Sequence, residues 1–172
     1  RGGLRKTLRK GFPMTMRIGH GFDVHAFAPG RRCVLGGVDV PCEQGLLGHS
    51  DADVLAHALM DAILGALREG DIGKLFPDTD PAYEGADSIE LLGRVAELAA
   101  KKGFEIVDCD CTVAAQAPKL GPYREQMREN MARAMGVPVD SVGVKATTTE
   151  RLGFVGRKEG IAAWAVCILR KA

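Results

Sequence analysis

Three side chains at defined spacings have the chemistry to hold a metal ion. Asp23 and His25 are two residues apart in the apolar segment MRIGHGFDVH, so on a continuous strand they lie on the same face. His57 lies further along, in a helical segment. One carboxylate and two imidazoles give the three protein ligands that a catalytic zinc uses while its fourth position takes water or substrate. The structural alternative for His25 is a strand-end histidine held by an ordinary hydrogen bond.

Two further polar groups have the chemistry to bind an anionic ligand. His49 and Ser50 come just before the predicted helix, where backbone N–H groups and the positive end of the helix dipole attract anions. Residues 147–149 supply three threonine hydroxyls at a strand end, and Glu150 supplies an oxygen ligand for a hard cation such as Mg²⁺. The alternative for this TTTE run is a strand-forming segment with a charged end.

The helix that must position His57 is predicted within residues 45–67, GLLGHSDADVLAHALMDAILGAL. Ser50 stands where an N-cap belongs, and Asp53 follows three residues later as in a capping box. Asp53, His57 and Asp61 are four apart, so we expect them to share one solvated face. The residues that recur at helical spacing and predict the buried face are Leu55, Leu59, Ala62, Ile63 and Ala66.

The other segments predict a mixed domain of sheet and helix layers. The run GDIGKLFPDTDPAYEG is too rich in Gly, Pro and Asp for a long helix or a central strand. A loop of this length in a compact domain is more often functional than not, with ordinary turn chemistry as the alternative. We predict a strand from 16 to 22, a hairpin over 31–41, helices over 86–103 and 122–136, and strands over 104–115, 141–146 and 161–170.

Composition excludes several classes of protein. With 46% hydrophobic and 26% charged residues, the 172-residue chain is long and apolar enough for one ordinary globular domain. Aromatic residues make up only 5%, which argues against a stacking-based binder of single-stranded nucleic acid. The net charge is +1, but the basic side chains of residues 1–15 have no acidic neighbours, so the body is mildly acidic and unlike a nucleic-acid binder. No apolar run is long enough for a membrane span. We expect no nucleic-acid and no membrane partner.

The five cysteines indicate a reducing compartment. Their number is odd and no C-x-x-C motif is present, so free thiols are expected. Cys109 and Cys111 point the same way on a predicted strand but give too little support for a zinc site. We therefore expect a cytoplasmic protein of bacterial type, with a plastid location as the alternative that the basic N-terminal segment raises.

Five sequence blocks, in this order, closely resemble the 2-C-methyl-D-erythritol 2,4-cyclodiphosphate synthase family of the non-mevalonate isoprenoid pathway: RIGHGFDVHAF, GLLGHSDADVLAHALMDAILGAL, GDIGKLFPDTDP, AQAPKL and VKATTTERLGFVGR. The resemblance covers residues 16–172, which we expect to form a single synthase domain. Residues 1–15 are interpreted as a basic extension, a cloning remnant or a trimmed targeting segment. The resemblance implies an α+β fold with a four-stranded mixed sheet, helices packed on one face and chorismate-mutase-like layering. It also implies a homotrimer around a threefold axis, with sites between subunits.

The chemistry that the resemblance implies is metal-assisted intramolecular phosphoryl transfer, catalysed by a phosphorus–oxygen lyase. The substrate, 4-diphosphocytidyl-2-C-methyl-D-erythritol 2-phosphate, becomes 2-C-methyl-D-erythritol 2,4-cyclodiphosphate and CMP. Asp23, His25 and His57 match the ligands of one Zn²⁺ per subunit. Glu150 matches a residue near a second divalent ion, Mg²⁺ or Mn²⁺. The residues that match groups stabilising the transition state are His49 and Thr148.

The resemblance also implies three sets of binding residues. Those matching the methylerythritol site are Ser50, Asp71, Ile72, Gly73, Phe76, Pro77, Asp78, Thr79 and Asp80. Those matching the cytidine pocket are Ala115, Gln116, Ala117, Pro118, Lys119, Leu120 and Gly121, with Thr147, Thr148 and Thr149. Phe154 and Arg157 are counted as substrate contacts and also, with Phe22 and Glu159, among residues lining an apolar axial tunnel that holds isoprenoid diphosphates.

Two other functions compete with this interpretation. One is an isoprenoid-diphosphate binding protein, and the other is a metal-dependent phosphohydrolase that releases free phosphate. A binding protein needs neither a cytidine loop nor a metal pair, so the intact set of Asp23, His25, His57 and Glu150 argues against it.

Overall fold

The computed structural model describes residues 15–172, so the basic N-terminal segment lies outside the described residues except for Thr15. Its strands are β1 (Met16–Ala28), β2 (Val34–Leu35), β3 (Val38–Asp39), β4 (Gly45–Leu46), β5 (Phe104–Ala114), β6 (Val142–Thr147) and β7 (Gly160–Lys171). Its α-helices are α1 (Val54–Leu67), α2 (Ile72–Leu75), α3 (Ser88–Lys101), α4 (Arg124–Met135) and α5 (Gly153–Gly156). Short 3₁₀ turns cover Pro81–Tyr83, Gly121–Tyr123 and Val139–Ser141.

The main sheet has five strands, in the order β4-β1-β7-β5-β6. The pairs β4–β1, β1–β7 and β7–β5 are antiparallel, while β5–β6 is parallel, so the sheet is mixed as predicted. The predicted number of four strands is wrong. β1 runs on to Ala28, and its far end pairs with the two-residue strand β4 through Phe27 and Leu46. The hairpin β2–β3 is a separate two-stranded sheet.

Helix α1 lies against the sheet at unusually close range. A Cβ added to Gly19 would stand 1.8 Å from the carbonyl oxygen of Ala62, and one added to Gly21 would stand 1.9 Å from that of Ala58. Only glycine lets the helix backbone approach the strand this closely. The contact brings His57 of the helix next to the part of β1 that carries the predicted metal ligands.

The predicted solvated face of α1 is wrong. Asp53 is fully buried and His57 is 8% exposed, because the sheet covers one side of the helix and α3 packs on another. The hydrophobic periodicity of the sequence identified one apolar face of α1 but did not indicate that other elements also cover the opposite side. Asp53 and His57 are tolerated in the interior because each has hydrogen-bond partners, while Asp61 is half-buried.

The N-cap of α1 is Asp53, which corrects the prediction of Ser50. One carboxylate oxygen accepts from the N–H groups of Leu55 and Ala56 at 3.1 and 3.0 Å, as well as from that of Gly36 at 2.9 Å. The other accepts from Gly37 at 2.7 Å. Asp53 therefore joins the start of α1 to the turn of the β2–β3 hairpin. His49 and Ser50 lie in the preceding loop and not at the helix end.

Replacing Asp53 with alanine is expected to lower the free energy of unfolding by about 3 kcal/mol, because four N–H donors, three of them buried, lose their acceptor. Urea denaturation measures the effect. Asp87, the N-cap of α3, is the matched control because its carboxylate accepts from one N–H group only, that of Ile89. Asp87→Ala should cost about 1 kcal/mol. Equal losses in the two variants would contradict the bridging role of Asp53.

The two faces of the main sheet differ in what covers them. Helices α1, α3 and α4 contact the strands, and inward residues such as Cys111, Ala163 and Ala165 are buried. The apolar side chains that the other face exposes include Ile18, Phe22, Val24, Trp164 and Val166. All five cysteines carry free thiols, as predicted. In residues 15–172, no helix has both the length and the hydropathy needed to cross a bilayer.

Candidate active site

Three predicted ligand atoms converge where β1 meets α1. Asp23 and His25 lie on the helix-facing side of β1, as their spacing predicted, and His57 reaches them from α1. Asp23 Oδ2 is 3.1 Å from His25 Nε2 and 3.0 Å from His57 Nδ1. The two ring nitrogens are 3.1 Å apart. The three atoms form a nearly equilateral triangle, and within the described residues no other group of three His, Cys, Asp or Glu side chains is placed to share an ion.

The other ring nitrogen of each histidine has a partner of its own. His25 Nδ1 donates to the carbonyl oxygen of Leu47 at 2.6 Å, which leaves its Nε2 free to act as a ligand. His57 Nε2 is 2.9 Å from Ser88 Oγ and 3.2 Å from Ser50 Oγ. Such outer contacts orient the imidazoles of metal sites.

The electrostatics of the triangle favour a positive charge at its centre. Burial raises the pKa of Asp23, but hydrogen bonds and charges from His25 and His57 outweigh it, and the pKa lies well below its usual range. Burial lowers the pKa of His25, but the hydrogen bond and charge of Asp23 raise it above the ordinary value. Three acceptor atoms this close repel one another unless a proton or a cation lies between them.

The donor set fits a zinc ion. Ligand bonds of about 2.0–2.1 Å around a tetrahedral ion separate the ligand atoms by roughly 3.3 Å. The observed separations are 3.0–3.1 Å, so a small outward movement of the side chains would admit the ion. One carboxylate and two histidines leave the fourth position for a substrate oxygen, as in catalytic zinc sites.

A cavity of about 400 Å³ opens beside the triangle. The predicted methylerythritol residues that line it together with the metal ligands are Ser50, Ile72, Gly73, Phe76 and Asp78. His49, predicted to stabilise the transition state, also lines it. Of the others, Asp71 caps α2 by accepting from the N–H of Lys74 at 2.9 Å. Asp80 accepts from the N–H of Ala82, and its carbonyl is 3.3 Å from His49 Nε2. Pro77 and Thr79 lie in the same loop but not among the lining residues.

Sequence reasoning missed several groups around this cavity. Met60, Tyr83 and Leu91 also line it. Asp61 anchors the cavity loop, since its carboxylate accepts from the N–H of Ile72 at 2.8 Å. The position of Asp61 one helical turn after His57 was the signal that could have pointed to this role.

The predicted cytidine residues form a second cavity, of about 340 Å³. Its predicted lining residues are Ala115, Gln116, Pro118, Lys119, Leu120, Gly121, Thr147 and Thr148. Ala117 lines a neighbouring cavity instead. This second cavity and the cavity beside the triangle have no lining residue in common.

The TTTE segment lies at the rim of this second cavity. Thr148 Oγ1 donates to Glu150 Oε1 at 3.1 Å, and Thr149 Oγ1 donates to the carbonyl of Leu152 at 2.7 Å. Glu150 does not join the group of Asp23, His25 and His57. Gln116 Oε1 accepts from the N–H of Arg151 at 3.1 Å, so the loops after β5 and β6 are linked.

The predicted tunnel residues are exposed in the single chain. Phe22 packs against Trp164 on the uncovered sheet face, with ring centroids 5.2 Å apart. Arg157 and Glu159 form an exposed ion pair at 2.8 Å, and Phe154 is 39% exposed.

Comparison with known proteins identifies the family of the chain. The YgbB family matches residues 16–170. A 2-C-methyl-D-erythritol 2,4-cyclodiphosphate synthase from Geotalea uraniireducens is 64% identical over 156 residues, which cover 91% of this chain and 99% of that protein. The structure of bifunctional IspDF from Campylobacter jejuni superposes with a TM-score of 0.89 and 45% identity, covering 92% of this chain and 43% of that longer chain.

A third relative carries a nucleotide. IspF from Plasmodium falciparum, in a CDP complex, gives a TM-score of 0.80 at 33% identity and covers 91% of this chain and 96% of that one. Both the identity and the coverage exceed what a shared fold alone would give. The chain therefore belongs to the YgbB family of 2-C-methyl-D-erythritol 2,4-cyclodiphosphate synthases.

Proposed function

We propose that this enzyme converts 4-diphosphocytidyl-2-C-methyl-D-erythritol 2-phosphate into 2-C-methyl-D-erythritol 2,4-cyclodiphosphate and CMP. The observation that carries the proposal is the convergence of Asp23 Oδ2, His25 Nε2 and His57 Nδ1 beside a 400 Å³ cavity, in a chain of this family. An oxygen of the 2-phosphate forms a bond to the β-phosphorus of the diphosphate. The bond from that phosphorus to the oxygen of the α-phosphate breaks, and CMP leaves with the electron pair.

The protein needs to supply position and charge balance more than a nucleophile or a strong base. A phosphate monoester is already anionic near neutral pH. Asp23, His25 and His57 would hold a Zn²⁺ ion, which when bound polarises the diphosphate and neutralises its charge. His49 supplies a polar group on the cavity wall, while Ile72 and Phe76 exclude water from the methylerythritol part.

The second cavity is proposed to bind the cytidine and the departing CMP. Lys119 and Thr148 on its wall offer a positive charge and a hydroxyl. Thr148 also acts on the transferring phosphate in this proposal. Glu150, beside Thr148, is the proposed oxygen ligand of a second ion, Mg²⁺ or Mn²⁺.

Glu150→Gln is expected to raise the Mg²⁺ concentration needed for half-maximal activity about tenfold, because an amide replaces a charged oxygen ligand. Activity measured across a Mg²⁺ titration tests this. Glu97→Gln is the control, since Glu97 is an exposed residue paired with Lys101 on α3. An unchanged Mg²⁺ dependence in Glu150→Gln would remove this residue from the second-ion role.

We also propose a homotrimer around a threefold axis, with each site shared by two subunits. Two observations support it. The metal and cytidine cavities have separate walls, and the sheet face opposite the helices exposes Ile18, Phe22, Trp164 and Val166. Monomers seldom leave such an apolar area uncovered. Assembly on this face would give the chorismate-mutase-like layering, and would gather Phe22, Phe154, Arg157 and Glu159 around an axial tunnel for an isoprenoid diphosphate.

We assign residues 16–172 to a single synthase domain, and the bacterial origin of close relatives supports a cytoplasmic location. Phosphorus NMR of the reaction tests the function. CMP together with a cyclic diphosphate is the expected outcome. Release of inorganic phosphate would indicate a phosphohydrolase instead, and tight binding of an isoprenoid diphosphate without turnover would indicate a binding protein.

A further inference from the structure

The outer ring nitrogen of His57 is connected to a carboxylate through a buried serine. Ser88, the first residue of α3, is fully buried. Its Oγ is 2.9 Å from His57 Nε2 and 2.5 Å from Asp51 Oδ1. Asp51 lies in the loop that precedes α1. The chain of contacts therefore joins three separate segments around one metal ligand.

The partners fix the direction of the hydrogen bonds. An ionised carboxylate only accepts, so the hydroxyl of Ser88 donates to Asp51. Ser88 Oγ then accepts from His57 Nε2–H. With an ion bound, this contact would place the hydrogen of the imidazole on Nε2 and leave the Nδ1 lone pair, 3.0 Å from Asp23 Oδ2, for the ion.

Asp51 is itself held rigidly. Its Oδ2 accepts from the N–H of Ser88 at 3.1 Å, and its Oδ1 accepts from the N–H of Asp53 at 3.2 Å. Its own N–H donates to the carbonyl of Ala86 at 3.1 Å. The position of Ser88 Oγ relative to α1 is therefore set by backbone contacts on both sides.

Ser50 also lies near His57 Nε2 but does not fix the tautomer of His57 as Ser88 does. Its Oγ is 3.2 Å from His57 Nε2 but 3.5 Å from Ser88 Oγ, and no carboxylate orients its hydroxyl. It already accepts from the N–H of Ala52 at 3.2 Å. Its hydrogen can rotate, so Ser50 is compatible with either tautomer of His57.

We propose that Ser88, oriented by Asp51, is a positioning residue that fixes the His57 tautomer and so sets the affinity of the Asp23–His25–His57 site for a divalent ion. The inference rests on the proposed function, because it assumes an ion at that site. Histidine ligands commonly donate their second N–H to an acceptor, and loss of the acceptor typically weakens metal binding about 10–100-fold.

The carboxylate of Asp51 allows a second test of the His57 tautomer. An amide at position 51 can donate to Ser88 Oγ, and Ser88 can then turn its own hydrogen towards His57 Nε2. This arrangement favours the tautomer with its hydrogen on Nδ1, where the metal would bind. Asp51→Asn should therefore weaken metal binding in the same direction as Ser88→Ala.

Co²⁺ is the probe for the test, with the full chain stripped of metal beforehand. Affinity is measured by chelator competition and by the visible absorption of the bound ion, and urea denaturation of the stripped variants records stability separately. We expect about 10–100-fold weaker Co²⁺ binding in Ser88→Ala and in Asp51→Asn. Asp87→Ala is the matched control, because it removes the N-cap of the same helix and leaves the contacts of His57 in place. Its Co²⁺ affinity should equal that of the wild type.

Wild-type affinity in Ser88→Ala, or a loss no greater than that of Asp87→Ala, would overturn the inference. A His57→Ala sample separates this result from failure of the proposed metal site. If His57→Ala is defective while Ser88→Ala binds normally, only the positioning role is lost. If His57→Ala binds Co²⁺ as tightly as the wild type, both the metal site and the positioning role are overturned.

Discussion

Replacing His57 with alanine is expected to remove the bound divalent ion and to lower kcat/KM by about 10²–10³-fold, the order of loss found when a main electrostatic contact to a transition state is deleted. Only Asp23 and His25 would remain as ligands, and two are too few for a catalytic zinc site. The chain should still fold, because the ring of His57 lines the cavity and contacts polar partners.

The burial of His57 adds a moderate loss of stability. We expect about 1–3 kcal/mol in the free energy of unfolding, as for removal of a buried, hydrogen-bonded side chain. Elemental analysis, circular dichroism and turnover measure the three effects. Glu97→Ala is the control, since Glu97 is an exposed residue of α3. An active His57→Ala enzyme that retains its zinc would contradict the ligand assignment.

The local part of this site was predictable from sequence. Alternation along a strand placed Asp23 and His25 on one face, and β1 has that geometry. The approach of His57 was not predictable from spacing, because it depends on how closely α1 lies against β1. Gly19 and Gly21 set that distance. A glycine in a strand is a general signal of close backbone approach, but it does not name the partner.

The environment of α1 shows why periodicity misjudged the polar residues. Asp53 and Ser50 were both reasonable N-caps from local sequence. Asp53 takes the position because Gly36 and Gly37, many residues earlier, add their N–H groups to those of the helix. The residues joined by the contact of Asp51 with Ser88 are even further apart in sequence. A single sequence carries no signal for either pairing.

The fifth strand escaped prediction for a different reason. β4 has only two residues, too few for an alternating pattern. It exists because β1 extends beyond the predicted end at Phe22 and offers an unpaired edge near Phe27. Helix α2, within residues 70–85, was not predicted for a similar reason. It is a single turn, too short for a periodic pattern, and it is fixed by Asp71 and Asp61.

Mixing two inactive variants is expected to restore about a quarter of the wild-type specific activity. The first variant, His57→Ala, has a defective metal cavity, and the second, Thr148→Ala combined with Glu150→Ala, has a defective cytidine cavity. In the proposed threefold assembly, each site combines the metal cavity of one subunit with the cytidine cavity of its neighbour. When the two variants mix randomly in equal amounts, about one site in four receives two intact cavities. The two cavities share no lining residue within one chain, which is the geometry that makes such exchange possible.

Co-refolding of the two variants, followed by turnover and mass measurement by light scattering, provides the test. Each variant refolded alone is the control and should stay inactive, because every one of its sites carries the same defect. Recovered activity in particles of trimer mass would support sites between subunits. Trimers without recovered activity would mean that one subunit supplies both cavities to a single substrate, since only then is every site in the mixture damaged.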